Sequence, residues 1–175
     1  ITPIPLTVSV NAVESMIAEA TTTAAISPDN GGKVTWSASP EETCTIDPVT
    51  GVVTAVKVGN CAVTAIVDAF GNYAAGSDSA TITITPIPLT VTVNAVESMI
   101  AEATTTATVS PSSGGKVTWT VGPEDTCTIS SRGVVTAVKV GTCTVFAEVA
   151  ASGYYAVGSD SATITINPIP VKVTV

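Results

Sequence analysis

An internal repeat constrains this 175-residue chain more than any other feature. Residues 11–24 and 94–107 share the fourteen letters NAVESMIAEATTTA, at an offset of 83. GVVTAVKVG recurs at Gly51 and Gly133, and GSDSATITI at Gly76 and Gly158, both at an offset of 82. Two copies of one small domain therefore follow each other, at residues 1–84 and 85–166.

A third, partial copy follows the second. Residues 167–175 read NPIPVKVTV and correspond to TPIPLTVSV at residues 2–10 and TPIPLTVTV at residues 85–93. Two explanations stay open. Either the chain comes from a longer array of such modules, or this strand pairs with another subunit, because an unpaired strand leaves its backbone groups unsatisfied.

Each copy shows the pattern of an all-β fold. Apolar residues alternate with Thr or Ser in LTVSV, KVTWS and ATITI, and turn residues such as DPVTG separate the runs. About seven short strands per copy predict a sandwich of two antiparallel sheets. One segment has helical spacing, at Val13, Met16, Ile17 and Ala20, so a helical turn after the first strand is the alternative there.

Two cysteines occur in each copy, and we predict one disulfide per copy: Cys44 with Cys61, and Cys127 with Cys143. Strand alternation directs all four side chains into the core. A zinc site or a redox pair would need closer spacing, and two buried free thiols remain the alternative. The bridges would place the protein in an oxidising, extracellular compartment.

The run GKVTWSASPEETCTIDPVTGVVTAVKVGNCAVTAIV, followed by SDSATITI, resembles the bacterial Ig-like domains of group 2. The second copy matches as well, from GGKVTW to FAEV. The resemblance implies tandem Ig-like sandwiches on a bacterial surface protein, acting as stalk, spacer or adhesive modules. It implies no catalytic residue. The cysteine pair and the absence of a glycine turn in ESMIAEATTT depart from the family pattern.

Composition argues against most enzymes. The chain contains no histidine, which removes the usual general base and a common metal ligand. A glycosidase would need aromatic residues on which the sugar packs, and the recurrent acids lack them. A calcium site at the domain junctions would need more acids than Asp78 and Asp160. We expect no cofactor and no metal. The acids considered as a glycosidase pair are Glu14, Glu19, Glu41 and Glu42, with Glu97, Glu102, Glu124 and Asp125 in the second copy.

Aromatic and proline residues give the remaining candidates. Trp36 and Trp119 have the parity of core residues. Tyr73, Tyr154 and Tyr155 lie in loops, where they are candidates for contact with a partner. Two Pro-Ile-Pro segments between closing and opening strands predict stiff, extended linkers and a rod-like array. Their prolines are Pro86, Pro88, Pro168 and Pro170.

The net charge of −8 and the scattered lysines do not favour nucleic acid as a partner. No apolar run approaches the length of a membrane span. The sequence therefore predicts a structural segment of a bacterial extracellular fibre or surface-adhesin stalk, whose partners are neighbouring copies or repeats. The alternative is an adhesive module that recognises a glycan or host protein through its loops.

Overall fold

The computed structural model describes residues 2–111 and 113–173. These residues fall into two compact units, Ile1–Ile87 and Pro88–Val175. The boundary between the units lies inside the first Pro-Ile-Pro segment, three residues after the boundary expected from the repeat. Each unit has its own buried core.

Every regular element among the described residues is a β-strand. The first unit contains β1 (Ser9–Asn11), β2 (Ser15–Ile17), β3 (Thr21–Thr23), β4 (Ala25–Ser27), β5 (Val34–Ser39), β6 (Cys44–Ile46), β7 (Val52–Ala55), β8 (Gly59–Val67) and β9 (Gly76–Thr85). The second contains β10 (Thr92–Asn94), β11 (Ser98–Ile100), β12 (Thr104–Thr106), β13 (Thr108–Ser110), β14 (Val117–Gly122), β15 (Cys127–Ile129), β16 (Val134–Ala137), β17 (Gly141–Val149) and β18 (Gly158–Asn167).

The strands of each unit form the same β-sandwich. In the first unit a four-stranded sheet has the order β2-β9-β8-β5, a three-stranded sheet has the order β3-β7-β6, and β1 pairs with β4. The second unit repeats this arrangement as β11-β18-β17-β14, β12-β16-β15 and β10-β13. All pairs are antiparallel except β2 with β9 and β11 with β18. The predicted Ig-like sandwich is confirmed.

Alternation along the strands produces the core. On β8, Cys61, Val63, Ala65 and Val67 are fully buried, while the residues between them face away from the core. The same inner positions of β17 are also buried. Burying one face of every strand is the main source of stability for domains this small.

The segment with helical spacing is extended, so the helical alternative at residues 13–20 is wrong. Ser15–Ile17 pairs in parallel with β9, and the amide of Ala18 donates to the carbonyl of Thr85 at 2.9 Å. Pairing with β9 satisfies backbone groups that a short isolated helix would leave weakly supported. Each unit has nine strands, whereas the pattern predicted about seven. The number is higher because β1 and β2 pair with different partners, as do β3 and β4.

Candidate functional site

A disulfide crosses the core of each sandwich. Cys44 lies on β6 of the three-stranded sheet and Cys61 on β8 of the four-stranded sheet, and the bridge joins them with their Cα atoms 6.0 Å apart. Cys127 on β15 and Cys143 on β17 form the same bridge in the second unit. All four side chains are fully buried. The predicted pairing is confirmed, and it ties a three-residue edge strand to the opposite sheet.

Trp36 packs into the first core beside this bridge and is 6% exposed. Trp119 is half-buried and packs against the second core. Each tryptophan lies next to a glycine in the turn that precedes β7 or β16. A Cβ atom added to Gly51 would lie 2.8 Å from the Ala24 carbonyl oxygen and 3.0 Å from the Trp36 ring. The tight approach of this turn therefore depends on glycine.

The carboxylates considered as calcium ligands hold the first strand of each sandwich. The amide of Val10 donates to Asp78 Oδ2 at 2.7 Å, and the amide of Val93 donates to Asp160 Oδ2 at 2.8 Å. The Val93 amide, followed by that of Ser161, lowers the pKa of Asp160 below its ordinary value. Among the residues that the structure describes, no group of three or more acids and cysteines could hold a metal ion.

The candidate tyrosines lie in the loops that join β8 to β9 and β17 to β18, and all three are exposed. In the first unit the Tyr73 and Phe70 backbones hydrogen-bond to each other, and Ile4 pairs beside Tyr73. In the second unit Ser152 and Tyr155 form the corresponding pair. These loops are thus held by backbone hydrogen bonds and present aromatic rings to solvent.

The recurrent acids do not form a pair in a pocket. A groove of about 380 Å³ lies at the edge where β5 meets β6, and its lining includes Trp36 and Glu41. The corresponding groove of about 370 Å³ in the second unit includes Trp119 and Glu124. Each groove is lined by one carboxylate, whereas glycoside hydrolysis uses two.

Glu19 and Glu102, two of the remaining acids, are exposed and occupy turns with φ of 66° and 67°. These turns stand where the family pattern has a glycine-containing turn.

A third groove was missed by reasoning from the sequence. It has a volume of about 450 Å³ and lies on the outer face of the four-stranded sheet of the second unit. Phe146 and Glu148 of β17 lie at its centre, with Thr118 and Thr120 of β14 on one side and Ser159 and Ser161 of β18 on the other. The signal was present in the sequence as a difference between β8 and β17, the strands that occupy the same place in the two copies.

The described residues of the partial third copy that follow Asn167 are all exposed. Residues 168–173 form no strand among the described residues, and Pro168 and Pro170 are exposed. Val173 is 79% exposed, whereas Val8 and Val91, its counterparts in the two complete copies, are each 6% exposed. The last two residues of the expected third copy, 174 and 175, lie outside the described residues.

The prolines of the first linker, Pro86 and Pro88, lie in the first and second units respectively. Pro86 is half-buried and Pro88 is exposed. The expected stiffness of this linker stays a prediction. A search of the described residues for a helix long and apolar enough to cross a membrane finds none.

The chain is similar to several known proteins. An uncharacterized protein of Clostridium acetobutylicum is 33% identical over 136 residues, which cover 74% of this chain and 14% of that protein. The chain therefore spans only a small part of the length of this relative.

Two solved structures are also similar. Domains 1–6 of the surface layer protein SbsC are 15% identical, with a TM-score of 0.39 and coverage of 79% of this chain and 20% of that chain. Human protocadherin-24 EC1-2 is 13% identical, with a TM-score of 0.37 and coverage of 93% of this chain and 98% of that chain.

The model of the bacterial Ig-like domain (group 2) matches residues 1–77, which form most of the first sandwich. Residues 85–166 repeat the sequence of this sandwich and fold in the same way. The first sandwich is thereby identified as a bacterial Ig-like domain of group 2.

Proposed function

We propose that this chain is a structural, non-enzymatic segment of a bacterial cell-surface protein, in which Ig-like domains follow one another as a stalk. The observation that carries the proposal is the buried bridge between the two sheets, which occurs at the same place in both domains. Disulfides persist in oxidising environments, so the bridges support a location outside the cytoplasm.

The repetition of the whole domain supports a spacer rather than a dedicated site. The inward residues of β8 and β17 and the bridges are the same in both copies, whereas the loops that carry Tyr73 and Tyr154 differ in sequence. A spacer requires that each unit be stable and of constant length, and it places no demand on its loops. The lack of histidine and the single carboxylate in each edge groove also argue against hydrolytic chemistry.

The position of the first strand supports one continuous polypeptide over a polymer assembled by strand sharing. In both units the chain's own first strand, β1 or β10, occupies its place beside β4 or β13. Asp78 and Asp160 hold these strands through their carboxylates. A donated strand from residues 167–175 would have to displace a strand that is already paired and anchored.

Light scattering on the non-reduced chain, with and without residues 167–175, tests this proposal. We expect both chains to be monomers at all concentrations, because no first-strand place is open in either domain. Concentration-dependent polymers that form only when residues 167–175 are present would contradict the continuous stalk and favour a fibre that assembles by strand sharing. Small-angle X-ray scattering on the same samples tests whether the Pro-Ile-Pro linker is stiff.

A further inference from the structure

The two copies differ in an ordered way on one strand. The inward residues of β8 and β17 are identical, namely Cys, Val, Ala and Val in each copy. The outward residues all differ. They change from Asn60, Ala62, Thr64 and Ile66 in the first copy to Thr142, Thr144, Phe146 and Glu148 in the second.

The differences between the copies are unevenly distributed over the exposed residues of this face. The neighbouring strand is exposed on the same face of the same sheet; its last outward residue changes from Thr85 to Asn167, and its other four outward residues are identical in the two copies. They are Ser77, Ser79, Thr81 and Thr83 in the first copy and Ser159, Ser161, Thr163 and Thr165 in the second. On this face the copies therefore diverge at every outward residue of β8 and β17 and at Ser37 and Ser39 of β5, which become Thr120 and Gly122, whereas most of β9 and β18 is unchanged.

In the second domain the changed residues build the outer-face groove. Phe146 lies between Thr120 and Ser161 in the register of the sheet, and Glu148 lies between Thr118 and Ser159. Cross-strand neighbours of this kind are close enough to bind one ligand together. The Phe146 ring is 46% exposed although it lies on a sheet face and not in a loop.

A second difference between the copies lies beside this ring. Gly122 on β14 replaces Ser39 of the first copy. A Cβ atom added to Gly122 would lie 4.0 Å from Phe146 Cε2, so the ring rests beside a residue without a side chain. In the register Gly122 lies opposite Thr144 and diagonal to Phe146, as Ser39 lies opposite Ala62 and diagonal to Thr64.

We propose that this groove binds a glycan, with a pyranose ring on Phe146 and its hydroxyl groups on Glu148 and the flanking threonines and serines. The apolar C–H face of a sugar ring packs on an aromatic face, whose π electrons carry partial negative charge. A carboxylate accepts two hydrogen bonds from neighbouring sugar hydroxyls, and Thr and Ser both donate and accept. One aromatic surface surrounded by hydroxyl groups matches this chemistry.

The other classes of ligand fit the groove less well. The described residues that line it include no cation, which disfavours phosphate and other anions. Asp160 also lines the groove, but its Oδ2 accepts the Val93 amide, so Glu148 is the carboxylate left for a ligand. A peptide strand pairs with a sheet edge, whereas this groove lies on a sheet face. Phe146 is a single large apolar side chain, too little for a protein interface.

This site goes beyond the stalk function and does not depend on it. Glycan binding by the second domain would make the stalk itself a contact surface. Its absence would leave the structural role and its light-scattering test unchanged.

The test uses the full, disulfide-bonded chain labelled with ¹⁵N and titrated with cellohexaose, chitohexaose and maltohexaose, followed by ¹H–¹⁵N NMR spectra. We expect at least one hexasaccharide, at millimolar concentration, to shift the amides of Thr120, Phe146, Glu148 and Ser161. The amides of Ser37, Thr64, Ile66 and Ser79, at the same positions of the first domain, are expected to stay unshifted. If none of the three sugars shifts the groove amides, the proposal is wrong.

Variants that exchange residues between the copies provide matched controls. Phe146→Thr and Glu148→Ile install residues that the first copy already carries at these positions, so both are expected to fold. Phe146→Thr should weaken binding by about tenfold or more, because the stacking surface is lost. Equal binding by this variant would overturn the proposal.

The reciprocal change asks whether these residues are sufficient. Ser39→Gly, Thr64→Phe and Ile66→Glu together should give the first domain a second binding site for the same sugar. If the groove amides of the unaltered chain instead shift with protein concentration alone, the occupant is a second copy of the chain and the glycan proposal fails.

Discussion

Glu19 and Glu102 occupy a left-handed backbone conformation, with φ of 66° and 67° in the turns after β2 and β11. This conformation costs a residue with a side chain about 1–2 kcal/mol and costs glycine little. In both copies this turn lets the amide of the glutamate donate to a carbonyl of the opposite sheet, from Glu19 to Ala55 and from Glu102 to Ala137. Each glutamate therefore makes a backbone hydrogen bond to the opposite sheet while its own backbone stays in an unfavourable conformation.

We predict that Glu102→Gly stabilises the second domain by about 0.5–1 kcal/mol, since relief of the left-handed conformation exceeds the entropy that glycine loses on folding. Urea unfolding followed by Trp119 fluorescence measures the change. Glu102→Ala is the control, because it removes the same charge and keeps the strain. An equal gain in both variants would attribute the effect to charge and contradict the explanation.

We expect Asp160 to make the stability of the second domain sensitive to acid. Its pKa in the folded protein is lowered by the Val93 amide, so the carboxylate stabilises the fold above its unfolded-state pKa of about 3.9. This contribution is lost as the pH falls through that value and on through the folded-state pKa.

In Asp160→Asn the amide oxygen still accepts the Val93 N–H but does not titrate. We expect the acid-dependent loss of stability in the second domain to become smaller, as measured by urea midpoints between about pH 5 and pH 2. Asp125→Asn removes one carboxylate elsewhere in the same domain and serves as the comparison. A pH profile unchanged by Asp160→Asn would show that this carboxylate does not anchor β10.

Among the elements, the turn between β6 and β7 depends most closely on one residue. Gly51 has a φ of 71°, and a Cβ there would meet the Ala24 carbonyl and the Trp36 ring. Gly71 has a φ of 60° and open space around it. We predict that Gly51→Ala costs about 2–4 kcal/mol and Gly71→Ala about 1 kcal/mol in the free energy of unfolding. Equal costs, measured by chemical denaturation, would show that the close approach does not matter.

The disulfide between β6 and β8 is the second element on which stability depends. The bridge closes a loop with a sequence separation of 17, for which the chain-entropy model gives about 3 kcal/mol. Cys44→Ala with Cys61→Ala should therefore unfold the first domain at a lower denaturant concentration. Reducing agent should bring the unaltered protein to the same midpoint, and it should leave the variant's first domain unchanged. Identical midpoints without reductant would contradict the prediction.

Alternation let the sequence predict the longer strands and the cysteine pairing. On β8 and β17 every second residue is apolar, and both Cys61 and Cys143 fall in that register. The segment that became β2 was ambiguous, because Met16 and Ile17 suit a helical spacing as well as a strand. Its structure is decided by pairing with β9, which is distant in sequence and therefore invisible to a local pattern.

At the scale of the whole molecule, the repeat predicted two sandwiches, because a repeated sequence folds twice in the same way, and the motifs from GKVTWS to SDSATITI predicted the family. The repeat did not reveal the outer-face groove, because the residues at the centre of the groove differ between the two copies. The surroundings of Phe146 could be inferred only from the register of the sheet, which places it between Thr120 and Ser161. The partners of the array are likewise not encoded in any local pattern, and the light-scattering test addresses them directly.

The bridge between β6 and β8 also sets how far a domain can lengthen under tension. When a stalk is pulled from its two ends, force passes through Cys44 directly to Cys61, and the residues between them carry none of it. Seventeen residue steps, fully stretched, would span roughly 58 Å, but the bridged Cα atoms are only 6.0 Å apart. A bridged domain that unfolds under tension therefore extends by roughly 50 Å less than an unbridged domain would. Reduction of the bridge would restore this extension.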